Sequence, residues 1–297
     1  MTALPVETPS GKDTAYENFP VGSILLPRRL RPYVAAFYAF ARAIDDIADN
    51  PDLAAEEKVR RLGGFEDALL GRNPDAAFGL AHRMRASLDR TGVPVRHCLD
   101  LVAAFKQDAV KLRYRDWDDL MGYCILSAAP VGRFLLDLHG GSRDGYGFSD
   151  ALCMALQVIN HLQDCQDDYR SLNRVYLPGD WLAAEGARVE ELDGPLASPG
   201  LRRAIDRTLD ATERLMLDAR RLPGGLASRR LAMESGAIVA IADALIGRLR
   251  TMDPLSLRVQ LGRPEFLACC LKGALAGLFA GRIMRKHAYR HDGAKTQ

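Results

Sequence analysis

The segment that most constrains this chain is QVINHLQDCQDD, residues 157–168. Helical periodicity of about 100° per residue places four of its polar residues on one stripe about 80° wide. They are Gln157, Asn160, Asp164 and Asp168. Val158, Ile159 and Leu162 give the same helix apolar flanks, so the stripe should face inward or into a cleft. Because buried carboxylates without a partner are costly, we expect a positive group opposite: a lysine or arginine, a metal ion, or a metal ion with a ligand.

A second acidic stripe lies in YVAAFYAFARAIDDIADN, residues 33–50. Its polar members fall within about 60° of one helix face. They are Tyr38, Arg42, Asp45 and Asp49. Apolar residues build the adjacent face, and Pro51 should end the helix. The sequence thus predicts two inward acidic helices that are far apart along the chain.

The remaining pattern is helical, with no convincing period-2 strands and no repeat of 20–50 residues. It predicts single helices over 120–139, with Pro130 in the middle, and over 148–168. We expect an all-α single domain over residues 17–286, with helices around a central apolar cavity. A flexible tail (1–16) and a polar tail (287–297) flank it.

Composition narrows the function classes. The net charge is +2, from 40 basic and 38 acidic residues, which gives no electrostatic argument for nucleic acid or for strong attraction to anionic lipid. The six cysteines lack metal-ligand spacing and indicate a reducing compartment, so we expect a cytoplasmic protein without a signal peptide. No window approaches the roughly 20 apolar residues of a membrane-spanning helix.

Two carboxylate stripes suit Mg²⁺, which takes few carboxylates, keeps waters and completes its shell with substrate phosphates. Paired His or Cys ligands for zinc or di-iron are absent from the sequence, as are GxxxxGK[ST] and GxGxxG motifs. Nothing marks a His-assisted Ser or Cys nucleophile. The chemistry that fits is ionisation of an allylic or related diphosphate, with the carbocation held in an apolar cavity away from bulk water.

From Phe19 to about Arg285 the chain resembles the squalene/phytoene synthase family of head-to-head prenyl synthases, which have the isoprenoid-synthase helical fold. The resemblance rests on three motifs: FYAFARAIDDIAD, YCILSAAPVG and QVINHLQDCQDDYRSLNRVYLP. Within the family, SAAPVGR (127–133) and ENFPVGSILLPRRLRP (17–32) are similar to the hydroxysqualene synthase branch of bacterial hopanoid biosynthesis.

The resemblance implies roles for individual positions. Metal ligands would be Asp45, Asp46, Asp49, Asn160, Asp164 and Asp168. Diphosphate would be held by Ser23, Tyr38, Arg42, Arg174 and Tyr176. Tyr123 would lie near the cationic intermediate, Gln157 would line the same cavity, and Asp108 would belong to the first substrate pocket. Ser127 and Pro130 would influence which product forms.

Two positions depart from the family pattern. Gln163 stands where several relatives have an arginine that contacts phosphate, so contact there should be weaker or rearranged. Pro130 replaces an ordinary helix residue and should kink its helix. We hypothesise that the kink frees a backbone carbonyl or a water site near the cation, so that water capture outcompetes hydride capture or proton loss.

The expected reaction is presqualene diphosphate plus water giving hydroxysqualene and diphosphate, with Mg²⁺ and without nicotinamide. One alternative is condensation of two farnesyl diphosphates to presqualene diphosphate, squalene, dehydrosqualene or a phytoene-type product. A remote alternative is a non-catalytic assembly factor, which should have lost one or both acidic pairs. Other hopanoid-pathway enzymes are candidate partners.

Structural explanations compete with several of these roles. Acidic pairs four residues apart are usually solvated helix faces, Asp108 could partner a basic residue, and Tyr123 could be a core tyrosine with a satisfied hydroxyl. His161 is more often a packed core histidine than a base. The apolar segment Leu267–Arg285 is typical of a core helix, but an apolar rim that touches the inner face of the membrane is compatible with so hydrophobic a substrate.

Overall fold

The computed structural model describes residues 25–292, with side chains described for residues 25–280. Ser23 therefore lies outside the described residues, as does the predicted N-terminal tail. The domain limits at residues 17 and 286 stay predictions.

The described residues form an all-α structure, as the sequence predicted. Apart from one isolated bridge between Arg113 and Val175, residues 25–292 contain no β-structure. The helices are α1 (Arg31–Asp49), α2 (Ala55–Leu69), α3 (Gly79–Thr91), α4 (Arg96–Asp108), α5 (Trp117–Ser127), α6 (Ala129–Leu138), α7 (Tyr146–Gln163), α8 (Cys165–Leu172), α9 (Gly179–Ala184), α10 (Pro199–Ala219), α11 (Leu222–Gly225), α12 (Arg229–Thr251) and α13 (Arg263–Asp292).

Two apolar clusters hold these helices together. One joins α1–α4 and includes Phe40 and Phe65, both fully buried. The other joins α5, α7, α10 and α12 and includes Ile159 and Leu245, each at most 1% exposed. Burial of such side chains contributes roughly 1.5–3 kcal/mol each. Because α1 belongs to the first cluster and α7 to the second, the two predicted acidic helices come from different halves of the core.

The prediction of one helix over residues 120–139 is wrong. The chain breaks at Ala128 (φ −115°, ψ −47°), and Pro130 lies in the first turn of α6. A proline has no N–H to donate and its fixed φ suits the start of a helix, so it begins α6 instead of kinking a longer helix. Arg133 in α6 pairs with Asp150 at 2.6 Å, and not with Asp137 one turn away.

The predicted helix over residues 148–168 is also interrupted. α7 ends at Gln163, Asp164 has φ −106° and ψ 10°, and α8 begins at Cys165. The Asp168 N–H still donates to the Asp164 carbonyl at 2.8 Å. The two acids therefore keep the one-turn spacing that the sequence predicted, although the helix axis is broken between them.

The stretch Trp117–Leu138 is long and apolar enough to cross a membrane by length and composition, with a mean hydropathy of 1.2. The expectation that no window approaches this limit is therefore wrong. Half of the stretch is buried inside the structure, and it is divided at Ala128. A buried, broken apolar segment is typical of core helices in a globular fold.

Candidate active site

One cavity with a volume of about 380 Å³ lies between the two halves of the core. Its walls come from α1, α4, α5, α6, α7, α11 and α12, with further residues from α8 and the segment after it. The prediction that helices surround a central apolar cavity is confirmed in the described part of the chain.

The lining changes character along two of these helices. On α1 it runs from Val34 and Phe37 to Asp45 and Asp49 at the C-terminal end. On α7 it runs in the same way, from Leu152 and Leu156 through Gln157 and Asn160 to Asp164 at the helix C-cap. The cavity therefore has apolar walls, and the part that Asp45, Asp49, Asp164 and Asp168 line is its acidic end.

Carboxylates in this part of the cavity need positive charge close to them. The C-terminus of a helix carries a partial negative charge, so Asp49 lies where the dipole of α1 disfavours a carboxylate. Asp164 lies between the C-terminus of α7 and the N-terminus of α8, whose dipoles act on it in opposite directions. Three arginines supply this positive charge. Arg42 pairs with Asp45 at 2.9 Å, Arg174 with Asp49 at 2.8 Å, and Arg258 with Asp164 at 2.9 Å. The expectation of a positive group opposite the acidic stripe is confirmed.

A hydrogen-bond chain connects the acidic end to the interior of the cavity. Arg174 donates to Asp49 at 2.8 Å and to the Tyr176 hydroxyl at 3.4 Å. Tyr176 donates to Asp108 at 3.2 Å, and Tyr123 donates to the other oxygen of Asp108 at 2.6 Å. Asp108 is thus shared by two tyrosines whose rings also contact each other, with centroids 5.6 Å apart and the planes tilted by 33°.

Burial sets the protonation states in this region. Burial raises the pKa of Asp108 to about 6, although Arg174 and the Tyr123 hydroxyl act in the opposite direction. Burial, together with the Asp108 charge, raises the pKa of Tyr123 and of Tyr176 well above the usual range. Both tyrosines therefore keep their protons and present neutral, electron-rich rings to the cavity.

His161 lines the cavity as a neutral ring. It stacks on Tyr176 with centroids 3.5 Å apart, and burial lowers its pKa to about 3. A histidine with that pKa carries no charge near neutral pH. The geometry therefore fits His161 as a packed core histidine better than as a cationic acid.

The Squalene/phytoene synthase family model matches residues 13–265. This chain belongs to that family. It is 44% identical over 293 residues to the hydroxysqualene synthase of Rhodopseudomonas palustris, covering 98% of each chain. It is 41% identical over 274 residues to the hydroxysqualene synthase of Zymomonas mobilis, covering 91% of each. A squalene synthase structure from Alicyclobacillus acidocaldarius has 31% identity and a TM-score of 0.67, over 77% of this chain and 86% of that one.

Most positions that the squalene/phytoene synthase resemblance singles out meet in this one cavity. Those that line it are Tyr38, Arg42, Asp45, Asp49, Asp108, Tyr123, Ser127, Gln157, Asn160, Asp164, Asp168, Arg174 and Tyr176. Asp46 and Pro130 are buried and do not line it. Asp46 instead pairs with Arg42 at 2.9 Å, which ties that arginine to the wall of the cavity.

Sequence reasoning missed Arg258. It lies in the irregular segment between α12 and α13, where no helical periodicity assigns a face, and only the fold brings it to Asp164 across 94 residues. Gln163, which replaces the arginine of several relatives, is buried and donates to the Val259 carbonyl at 2.5 Å. Its amide therefore holds the backbone next to Arg258 and does not line the cavity.

Squalene/phytoene synthases are in general dependent on divalent metal ions, and the donor set here fits such an ion. The carboxylates of both acidic pairs, Asp45 with Asp49 and Asp164 with Asp168, line the same cavity and offer oxygen ligands. Within residues 25–280, however, no three His, Cys, Asp or Glu side chains are close enough to hold one ion together. The site therefore suits a metal that takes one or two carboxylates from each wall and completes its shell with water and diphosphate.

Proposed function

We propose that this chain ionises presqualene diphosphate with the help of Mg²⁺ and directs water to the rearranged cation, giving hydroxysqualene and diphosphate. The observation that carries the proposal is an apolar cavity lined by two acidic pairs and by Arg42 and Arg174, in a chain 44% identical to a hydroxysqualene synthase over nearly its whole length.

The proposed reaction needs no external reductant. The bond between carbon and the diphosphate oxygen breaks, and the leaving group keeps the electron pair. After rearrangement, a bond forms between carbon and a water oxygen, and that water loses a proton. Because hydride is not consumed, the reaction has no requirement for nicotinamide.

Mg²⁺ would neutralise the leaving diphosphate, held by Asp45 and Asp49 on one wall and by Asn160, Asp164 and Asp168 on the other. Asp46 would act through Arg42. Arg42 and Arg174, already at the acidic end, would contact diphosphate oxygens as the leaving group forms, with Tyr38 as a neutral donor. Tyr176, whose hydroxyl donates to Asp108 and accepts from Arg174, would help to hold Arg174 toward the diphosphate. Ser23 belongs to the same proposal, although it lies outside the described residues.

The rest of the cavity would protect the cation. Tyr123 and Tyr176 offer uncharged rings, whose faces attract positive charge, and Asp108 fixes both through its two oxygens. His161 stays neutral and so does not repel the cation. Ser127 on α5 and Gln157 on α7 also line the cavity and would orient the water.

The substrate comparison tests this function. Purified full-length protein with Mg²⁺ is given either presqualene diphosphate or farnesyl diphosphate, and the products are separated by mass spectrometry. We expect hydroxysqualene from the first substrate and no product from the second. Turnover of farnesyl diphosphate alone would replace the proposal with the condensing alternative, which the family relationship and the likeness to a squalene synthase structure also allow.

Location and partners follow from this proposal. A cytoplasmic enzyme would meet its water-insoluble substrate and product at the inner face of the membrane, and other hopanoid-pathway enzymes would be the proteins that supply and consume them. Fractionation of cells into supernatant and membranes tests the location.

A further inference from the structure

Helix α13 carries a row of large apolar side chains that face solvent. Leu267, Leu271, Leu275 and Phe279 are 66%, 65%, 45% and 52% exposed. They are spaced four residues apart, so they lie within about 120° of one helix face. Lys272 is the one charged residue between positions 266 and 280. Exposed apolar stripes of this kind usually mark a surface that binds a partner or a membrane.

The opposite face of α13 is fixed to the body of the protein. A Cβ atom at Gly273 would lie 2.2 Å from the Gly236 carbonyl oxygen, and one at Gly277 would lie 2.1 Å from the Ala232 carbonyl oxygen. Glycines at both positions therefore let the backbones of α12 and α13 touch. This close packing holds α13 in one orientation, with its leucine row outward.

The charge of α13 differs from that of the rest of the chain. Arg263–Asp292 contains six basic and two acidic residues, a net charge of +4. The other 267 residues have 34 basic and 36 acidic residues, a net charge of −2. The total of +2 conceals this difference, which is why the overall composition gave no argument for anionic lipid. An apolar helix face combined with basic residues is typical of helices that lie in a membrane interface.

The position of α13 suits a membrane on that side. It packs on α11 and α12. These two helices and the residue after α11 supply Leu222, Leu226, Leu231 and Ile238 to the apolar wall of the cavity. The leucine row thus lies behind the apolar wall, on the other side of the helices that build it.

We propose that the outer face of α13, defined by Leu267, Leu271, Leu275 and Phe279, docks on an anionic lipid bilayer surface. A second copy of the chain is a poorer occupant, because it would bring another net charge of +4 to the same interface. The docking does not depend on the proposed reaction, because it is measured without substrate. The docking proposal and the proposed function can therefore be refuted independently of each other.

Flotation of the full-length protein with lipid vesicles tests the docking. One set of vesicles contains phosphatidylcholine only, and a second contains equal parts of phosphatidylcholine and phosphatidylglycerol. We expect the protein to float with the anionic vesicles, less so with the neutral ones, and less so as salt rises. The double variant Leu267→Ser/Leu271→Ser should bind anionic vesicles roughly tenfold more weakly.

A matched control distinguishes this face from general surface hydrophobicity. Leu196 and Leu217 are 62% and 65% exposed but lie outside α13, so Leu196→Ser/Leu217→Ser should float like the wild type. As a second variant, Lys272→Glu keeps every leucine and should weaken binding to anionic vesicles only. Absence of wild-type flotation, or equal flotation of the α13 double variant, would overturn the docking. Lipid-free dimerisation that the α13 double variant abolishes in sedimentation equilibrium would instead assign the face to a second copy.

Discussion

Arg174 Nη1 lies 2.8 Å from Asp49 Oδ1 and joins two positions that are 125 residues apart in the sequence. One belongs to the acidic end of α1, and the other follows α8, just after the second acidic pair. Both side chains are largely buried, at 5% and 18% exposure. The pair therefore links the two acidic motifs directly and makes the acidic end of the cavity one electrostatic unit.

The acids on both walls should be essential for turnover but not for folding. We expect Asp45→Asn and Asp164→Asn each to reduce the release of diphosphate from presqualene diphosphate at least about a hundredfold, because each removes a proposed metal ligand. Each carboxylate pairs with an arginine and is about one-third exposed or less, so its loss should change the free energy of unfolding by less than about 1 kcal/mol.

The control for these variants is Asp243→Asn, which breaks the exposed Arg220–Asp243 pair away from the cavity. It should keep wild-type turnover. Wild-type rates in both Asp45→Asn and Asp164→Asn, measured by diphosphate release, would refute the metal role.

Arg258 should contribute to turnover although no sequence pattern marks it. Arg258→Gln removes the positive charge 2.9 Å from Asp164, so diphosphate should leave more slowly by roughly ten- to a hundredfold. Arg220→Gln, which also removes an ion-paired arginine, serves as the control. Equal rates for the two variants would mean that Arg258 only balances the charge of Asp164 and does not assist the departure of diphosphate.

Asp108 should make stability depend on pH. Its pKa is raised to about 6 in the folded protein against 3.8 as the ordinary value, so between these values the folded state binds more protons than the unfolded state. The free energy of unfolding should then fall as pH rises through this window. Asp108→Asn should flatten that part of the profile, as measured by urea unfolding at steps from pH 4 to pH 8. A profile parallel to the wild type would show that Asp108 titrates normally.

Pro130 should affect which product forms. It starts α6, one residue before Val131 and two before Gly132, both of which line the cavity. Pro130→Ala would let α5 and α6 merge across Ala128, shift Ser127 and so raise the share of products other than hydroxysqualene. Pro199→Ala provides a control, because Pro199 also lies in the first turn of its helix, α10. An unchanged product ratio in Pro130→Ala, measured by mass spectrometry, would remove Pro130 from product control.

The acidic helices were predictable because helical periodicity alone puts Asp45 with Asp49 and Asp164 with Asp168. Their flanking apolar residues also indicated which face is buried. The break at Asp164 was not predictable, because the segment has no proline or glycine there and Asp168 still bonds to the Asp164 carbonyl.

Other features could be recognised only from the three-dimensional structure. The partnership between Arg258 and Asp164 depends on an irregular segment whose path no local pattern specifies. Pro130 was assigned to the middle of a helix because apolar residues continue on both sides of it. The same continuity hid the break at Ala128. The exposed row on α13 looked like core because its leucines and alanines have the composition of a buried helix, and only packing against α12 shows which face is covered.

The most direct measurement of the central claim is the origin of the new hydroxyl oxygen. Presqualene diphosphate is incubated with the protein and Mg²⁺ in water enriched in oxygen-18, with Asp45→Asn and a metal-chelated sample as controls. The account predicts hydroxysqualene that carries oxygen-18 at the enrichment of the water, and no product in either control. Hydroxysqualene without the label, or undiminished formation after the metal is chelated, would contradict it.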